Sequence, residues 1–240
     1  MSTSEDRTLP LLGRRGLVIG VETAAGGALA TALGEAGADL GLATMRADEG
    51  VLAARRLQRR LRGAGREANV YAFDVTLGQN VKVSTRQVTK ELGGLDFVVS
   101  ASDEPLTSPL ERLTDSDLAR VTTVNFYAHV FAIRAAVDEF RRPGQGHALL
   151  VVPETAAAEA AAYRAAQAAT LNLVTSLSEE LRPRSVAVNA AVVPPTAGSA
   201  GLDRPGPLVV EILSAHPADV TGRVYHLGHS RPGADDQGRA

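Results

Sequence analysis

The sequence predicts an α/β fold: a single doubly wound parallel sheet of about seven strands with helices on both faces. Three observations in the 240-residue chain carry that expectation. Short apolar runs alternate with helix-patterned segments, the order that βαβ units produce. The runs are apolar almost without interruption, as strands covered on both faces are. Hydrophobic residues make up 45% of the chain, enough for a substantial core.

The elements follow in order. GLVIG, residues 16–20, is the first strand, and residues 24–37 form a helix closed by Gly37. ADLGLAT, 38–44, is the second strand. An Arg-rich amphipathic helix over 47–62 places Ala53, Leu57 and Leu61 on one face. ANVYAFDV, 68–75, is the third strand, and 79–92 is helical. LDFVVSA, 95–101, is the fourth strand and precedes one long helix over 115–140. HALLVV, 147–152, leads to a helix over 157–182. SVAVNAAVV, 185–193, a short helix near 207–215 and GRVYHLG, 222–228, complete the pattern. One domain is expected over 14–228, between a flexible N-terminus (1–13) and a breaker-rich, disordered tail (229–240).

Composition excludes several function classes. The net charge of −2 gives no global field toward nucleic acid or membrane. Cysteine is absent, which removes disulfides and thiolate metal sites, and the five histidines have no metal-ligand spacing. MSTSEDRTLP is polar and acidic, unlike a secretory signal, and no apolar run reaches membrane-span length, so a cytoplasmic location is expected. The basic stretch RRLQRRLRGAGRE, 55–67, has no aromatic platform beside it and reads as a solvated helix face rather than a nucleic-acid site.

Two stretches carry chemistry. VIGVETAAGGALA, 18–30, joins the first strand to the first helix and supplies Gly20, Gly26 and Gly27. A glycine-rich turn there serves either a phosphate group or close packing. Tyr163 and Gln167 lie four residues apart, hence on one helical face.

The order of these pieces resembles the short-chain dehydrogenases/reductases over about residues 14–228, which implies a Rossmann-like sheet and a nicotinamide cofactor. The family's Thr-Gly-x3-Gly-x-Gly turn reads Ile19-Gly20-Val21-Glu22-Thr23-Ala24-Ala25-Gly26 here, with Ala24 at the middle glycine. Thr44 stands where NAD-preferring relatives carry Asp, and Arg46 follows, so the resemblance favours NADP(H) if any dinucleotide binds; no cofactor at all is the other expectation. Asp74 and Val75 match the adenine-side positions. Ser100-Ala101-Ser102-Asp103 replaces Asn-Asn-Ala-Gly. Thr196, after strand six, matches a carboxamide contact.

The resemblance assigns Asn125 to a water-holding role in a proton relay and Tyr163 to proton transfer. The lysine four residues beyond the tyrosine is replaced by Gln167. Only Lys82 and Lys90 exist in the chain, both in the helix between strands three and four. Pro153 replaces a serine, and Thr155 is the only hydroxyl between strand five and Tyr163. The chain following Pro194-Pro195 is too short for the family's usual lid. The resulting expectation is a relative with impaired or lost oxidoreductase activity, a structural or regulatory subunit of a homodimer, a tetramer or a hetero-oligomer with an active relative. The alternative is an NADP(H)-dependent ketone or alcohol oxidoreductase with a variant relay around Tyr163. A small-molecule substrate belongs to that alternative; nucleic acid, membrane and metal belong to neither.

Overall fold

The computed structural model describes residues 9–46, 50–140, 145–194 and 205–227. Seven strands form one parallel sheet: β1 (Arg15–Ile19), β2 (Asp39–Thr44), β3 (Ala68–Ala72), β4 (Phe97–Ser100), β5 (His147–Pro153), β6 (Ala187–Val193) and β7 (Val224–His226). Their order across the sheet is β3-β2-β1-β4-β5-β6-β7, and every neighbouring pair is parallel. The chain steps outward from β1 to β3, then returns to the other side of β1 with β4. That reversal opens a crevice beyond the C-terminal ends of β1 and β4, the place where open α/β sheets carry their sites.

The helices are α1 (Ala24–Glu35), α2 (Val51–Gly63), α3 (Gly78–Leu92), α4 (Asp115–Thr122), α5 (Ala128–Val137), α6 (Ala161–Glu180), α7 (Pro205–Ser214) and α8 (Pro217–Val220). Side chains alternate along each strand, as strand geometry requires. Val18, Val99 and Val151 join Leu29 and Leu33 of α1, Leu61 of α2 and Leu213 of α7 in one core layer. Leu17, Val98 and Leu150 join Val88 of α3, Ile133 of α5 and Val174 of α6 in the other. Both sheet faces are covered, which explains the unbroken apolar strands.

Several expected boundaries change. Packing begins before residue 14: Leu11 is fully buried and its N–H donates to the Ala36 carbonyl. β3 ends at Ala72, so Asp74 and Val75 lie in the turn beyond it. In α2 the buried pair is Ala54 and Leu61, while Ala53 is exposed, a rotation of the inward stripe by one residue. Val174 of α6 and Leu181 at its C-terminal end lie in the core of this chain.

The long helix over 115–140 is interrupted. Thr123–Tyr127 forms a π-helical turn between α4 and α5, a local widening often found at functional sites. It carries Asn125. The α4 N-terminus is closed by a capping box in which Thr114 and Asp117 satisfy one another's backbone donors.

Candidate active site

The turn after β1 is built by backbone conformation. Gly20 has φ of +83°, and a Cβ there would lie 2.4 Å from the Ala101 carbonyl oxygen. A Cβ on Gly26 would lie 2.1 Å from the Gly20 carbonyl oxygen. Thr23 caps α1: its Oγ1 accepts from the Gly26 N–H at 3.0 Å and donates to the Gly20 carbonyl at 2.8 Å. Ala24 is exposed at the first helical position, so its methyl points away from the packed turn. The first N–H groups of a helix have no acceptor within it. This turn therefore still fits a pyrophosphate, despite the missing middle glycine.

The end of β2 is more occupied. Thr44 is fully buried, and its hydroxyl donates to the Arg46 carbonyl at 2.7 Å, so it is directed to its own loop and not to the crevice. Arg46 bonds Glu104 Oε2 at 2.6 Å, and Arg120 of α4 bonds the other oxygen of that carboxylate at 2.6 Å. Glu22 reaches across the turn and accepts from the Met45 N–H at 2.6 Å. A 2′-phosphate would have to draw Arg46 away from Glu104. Asp74 Oδ1 accepts from the N–H and hydroxyl of Thr76 at 3.0 and 2.6 Å, which shapes the approach to α3. Val75 is buried, its N–H bonded to the Met45 carbonyl at 3.2 Å.

Beyond β4 the chain is held from several sides. Ser100 is fully buried and its Oγ lies 2.8 Å from Nδ1 of His129, itself buried in α5. His129 also hydrogen-bonds the Ser102 main chain, and burial lowers its pKa to about 4, so the ring is neutral near pH 7. The Ala101 N–H donates to the Ile19 carbonyl at 2.9 Å.

Asn125 is used differently from the expectation. Its Oδ1 accepts from the Glu104 N–H, and its Nδ2 donates to the carbonyls of Glu104 and Val121, each at 2.9 Å. Its own carbonyl accepts the Thr170 hydroxyl at 2.8 Å. Both amide donors are thereby engaged, and Asn125 clamps the loop after β4.

Tyr163 is 3% exposed and packs against Val121 and Ala160. Its hydroxyl donates to Asp103 Oδ1 at 2.6 Å. Burial is the largest cause that raises both groups, the phenol well above its ordinary value and the carboxyl above its own; the Asp103 charge raises the phenol further. Gln167 does not approach the phenol: its amide donates to the Pro153 carbonyl. Thr155 Oγ1 accepts from the Ala157 N–H at 3.3 Å, within its own turn. A cavity of about 380 Å³ lies beside Gln167, lined by Pro153, Thr155, Arg164 and Leu171 among others, and Tyr163 is not part of its wall. Thr196 lies outside the described residues.

The geometry thus joins Gly20, Ala24, Gly26 and Arg46 around one end of the crevice, and Tyr163 and Asn125 around the other. The Thr44 hydroxyl is directed to its own loop, while Thr155 and Gln167 line the cavity beyond β5. Asp103, Glu104 and His129 were not anticipated as site residues; Glu22 was expected only as a negative charge beside the phosphate turn. Asp103 was detectable, because it occupies the glycine position of the replaced Asn-Asn-Ala-Gly segment, where any side chain has to go somewhere. His129 and Glu104 carried no local signal.

A doubly wound parallel sheet with a glycine turn after β1 and a buried tyrosine opening α6 defines a Rossmann-like α/β protein. The short chain dehydrogenase family pattern matches residues 15–202, and the chain belongs to that family. It is 27% identical over 134 residues to L-2,3-butanediol dehydrogenase of Corynebacterium glutamicum, covering 54% of this chain and 52% of that protein. It is 29% identical over 137 residues to hydroxynaphthalene reductase arp2 of Aspergillus fumigatus, covering 57% and 49%. The matches thus span about half the length of these relatives. A short chain dehydrogenase from Burkholderia cenocepacia, solved in complex with NADP, superposes with a TM-score of 0.81 at 23% identity over 91% of this chain and 97% of that one. A dehydrogenase/reductase from Sinorhizobium meliloti superposes at 0.79 with 24% identity, over 92% and 95%. Among the described residues, no helix is long and apolar enough to cross a membrane.

Proposed function

We propose that this chain is an NADP(H)-linked oxidoreductase acting on a small ketone or alcohol, with Tyr163 exchanging the proton with the substrate oxygen. The observation that carries this reading is the buried Tyr163 hydroxyl, hydrogen-bonded at 2.6 Å to a titratable carboxyl group, Asp103. A phenol linked to a proton reservoir is the arrangement that general acid catalysis needs. The turn from Gly20 to Ala25 would hold the pyrophosphate, and Arg46 a 2′-phosphate. A bound dihydronicotinamide would supply the hydride. Membership of the short chain dehydrogenase family supports the reading, as do the dehydrogenase and reductase names of its relatives.

Calorimetric titration with NADPH and with NADH tests it, followed by turnover on a panel of ketones and diketones. Binding with a preference for NADPH, and Tyr163-dependent turnover, are the expected results. No heat at millimolar nucleotide sinks the reading.

A second reading is a family member with impaired or lost activity, acting as a structural or regulatory subunit beside an active relative. Two contacts favour it: Gln167 is tied to Pro153, and Arg46 to Glu104. It requires no nucleotide binding and a stable complex with a relative that retains Tyr-x3-Lys.

A further inference from the structure

We infer that Asp103 is the positioning residue that governs the Tyr163 proton, passing a proton to the phenol in carbonyl reduction and taking it back in alcohol oxidation. This rests on the oxidoreductase reading above and specifies its proton path and its dependence on pH.

The geometry over-determines where Asp103 points. The segment before it is fixed from beneath by His129, through Ser100 Oγ and the Ser102 main chain. It is fixed from the side by the Ala101 N–H on Ile19. The Asp103 N–H approaches Met45 Sδ at 3.3 Å, and Asn125 grips the next residue through both its N–H and its carbonyl. With the backbone held on both sides, the side chain meets the phenol at 2.6 Å. The phenol is equally fixed, backed by Val121 and Ala160 in a buried pocket. Among the described residues no cation is bonded to either group, and the side chain four residues beyond Tyr163 is a neutral amide turned to Pro153.

The charged groups around the pair come from each neighbouring element. Glu104 adjoins Asp103 and raises its pKa further. Arg46 from the loop after β2 and Arg120 from α4 both bond Glu104, and Asp117 of α4 lies 4.0 Å from Arg120. Glu22 from the turn after β1 bonds the Met45 N–H. From the α6 side Arg164 bonds the Ala157 carbonyl, and His129 beneath is neutral. Two arginines thus compensate Glu104, while among the described residues the charge that meets the phenol is the carboxylate of Asp103.

The proton path follows. With Asp103 neutral, its O–H donates to the Tyr163 oxygen, and the phenol hydrogen is free to point at a substrate carbonyl. As the carbonyl carbon takes a hydride, its oxygen takes the Tyr163 proton. The Asp103 proton refills Tyr163, and the resulting carboxylate takes one proton from solvent. The sum is one carbonyl, one hydride and one proton giving one alcohol. With Asp103 ionised, the phenol hydrogen is held on the carboxylate and is withheld from substrate. Alcohol oxidation runs the same path backward: ionised Asp103 takes the Tyr163 proton as the tyrosine oxygen accepts the proton of the alcohol, so no separate phenolate forms beside a carboxylate. Reduction therefore slows as pH rises through the Asp103 ionisation, by tenfold per pH unit once the carboxylate dominates.

The test begins on the free protein. Phenolate absorbance is followed against pH for wild type, Asp103→Asn and Tyr163→Phe, the last supplying the background of the other three tyrosines, Tyr71, Tyr127 and Tyr225, to be subtracted. In Asp103→Asn the Tyr163 ionisation is expected at least tenfold more favourable than in wild type. If that variant does not fold, carbon NMR of the aspartate carboxyls in wild type and Tyr163→Phe reads the same coupling from the other side. NADPH-driven ketone reduction is then measured against pH, with the alkaline decline present in wild type and lost in Asp103→Asn. Identical phenol titrations and identical pH profiles in wild type and Asp103→Asn overturn the inference. A shifted titration without any NADPH-linked turnover leaves the Asp103 coupling standing and removes the oxidoreductase reading instead.

Discussion

The turn after β1 and the corner around Tyr163 lie at the same edge of the sheet, yet they depend on sequence in opposite ways. The turn is made by main-chain conformation: a left-handed Gly20, a Gly26 without room for a Cβ, and a capping Thr23. Its middle glycine is replaced by Ala24, and the turn still closes because that methyl is exposed. The corner is made by side-chain chemistry. There the phenol meets the Asp103 carboxyl group, while the Gln167 amide is turned to Pro153. One region rests on main-chain geometry that an exposed methyl leaves intact, the other on which side chain reaches the phenol.

The largest expected effect tests the turn. Gly26→Ala forces a methyl to within 2.1 Å of the Gly20 carbonyl, a main-chain atom that cannot swing aside. It should cost about 3 kcal/mol or more in denaturant unfolding, at the upper end for overpacking. Ordinary stability in that variant would mean the turn is far softer than its geometry.

Next, Tyr163→Phe tests the corner while leaving the turn alone. Ketone reduction should fall by about 10²–10⁴, the contribution of a general acid, with NADPH affinity changed only a few-fold. Equal turnover in that variant would take Tyr163 out of the chemistry.

A smaller effect is expected where the two regions meet. Glu104→Gln removes the charge that holds Arg46, a partly exposed pair worth about 0.2–1 kcal/mol. The preference for NADPH over NADH, read by calorimetry, should rise by about two- to fivefold. No change would separate Arg46 from the 2′-phosphate.

The smallest change belongs to Ala24→Gly, which restores the middle glycine. Since Ala24 is exposed, stability should fall by less than about 1 kcal/mol, the helix propensity difference, and nucleotide affinity should move by less than about threefold. A large gain in affinity would show that the methyl had been obstructing the phosphate approach.

The architecture was legible because local patterns repeat it many times. Strands such as Ala187–Val193 are apolar but for Asn189, and their order alone implies parallel pairing. Legibility fell where geometry depends on distant groups. Asn125 looked like a relay residue, but the π-helical turn and the neighbouring loop direct its amide to Glu104. Thr44 stood at a cofactor-side position by resemblance, and its hydroxyl is directed to the Arg46 carbonyl two residues on. Arg46 and Glu104 are 58 positions apart, and nothing local announces the pair.

By itself the sequence determined the parallel sheet, the position of the glycine turn and the presence of Tyr163 at the start of its helix, because apolar periodicity and backbone preference act over a few residues. Tertiary structure alone decided the partner of that tyrosine. Asp103 and Tyr163 are 60 positions apart, and they meet only because β4 and α6 deliver their ends to the same rim. The sign of the charge beside the phenol is a property of that meeting, since a carboxyl group acts over a few ångströms of space and not along the chain.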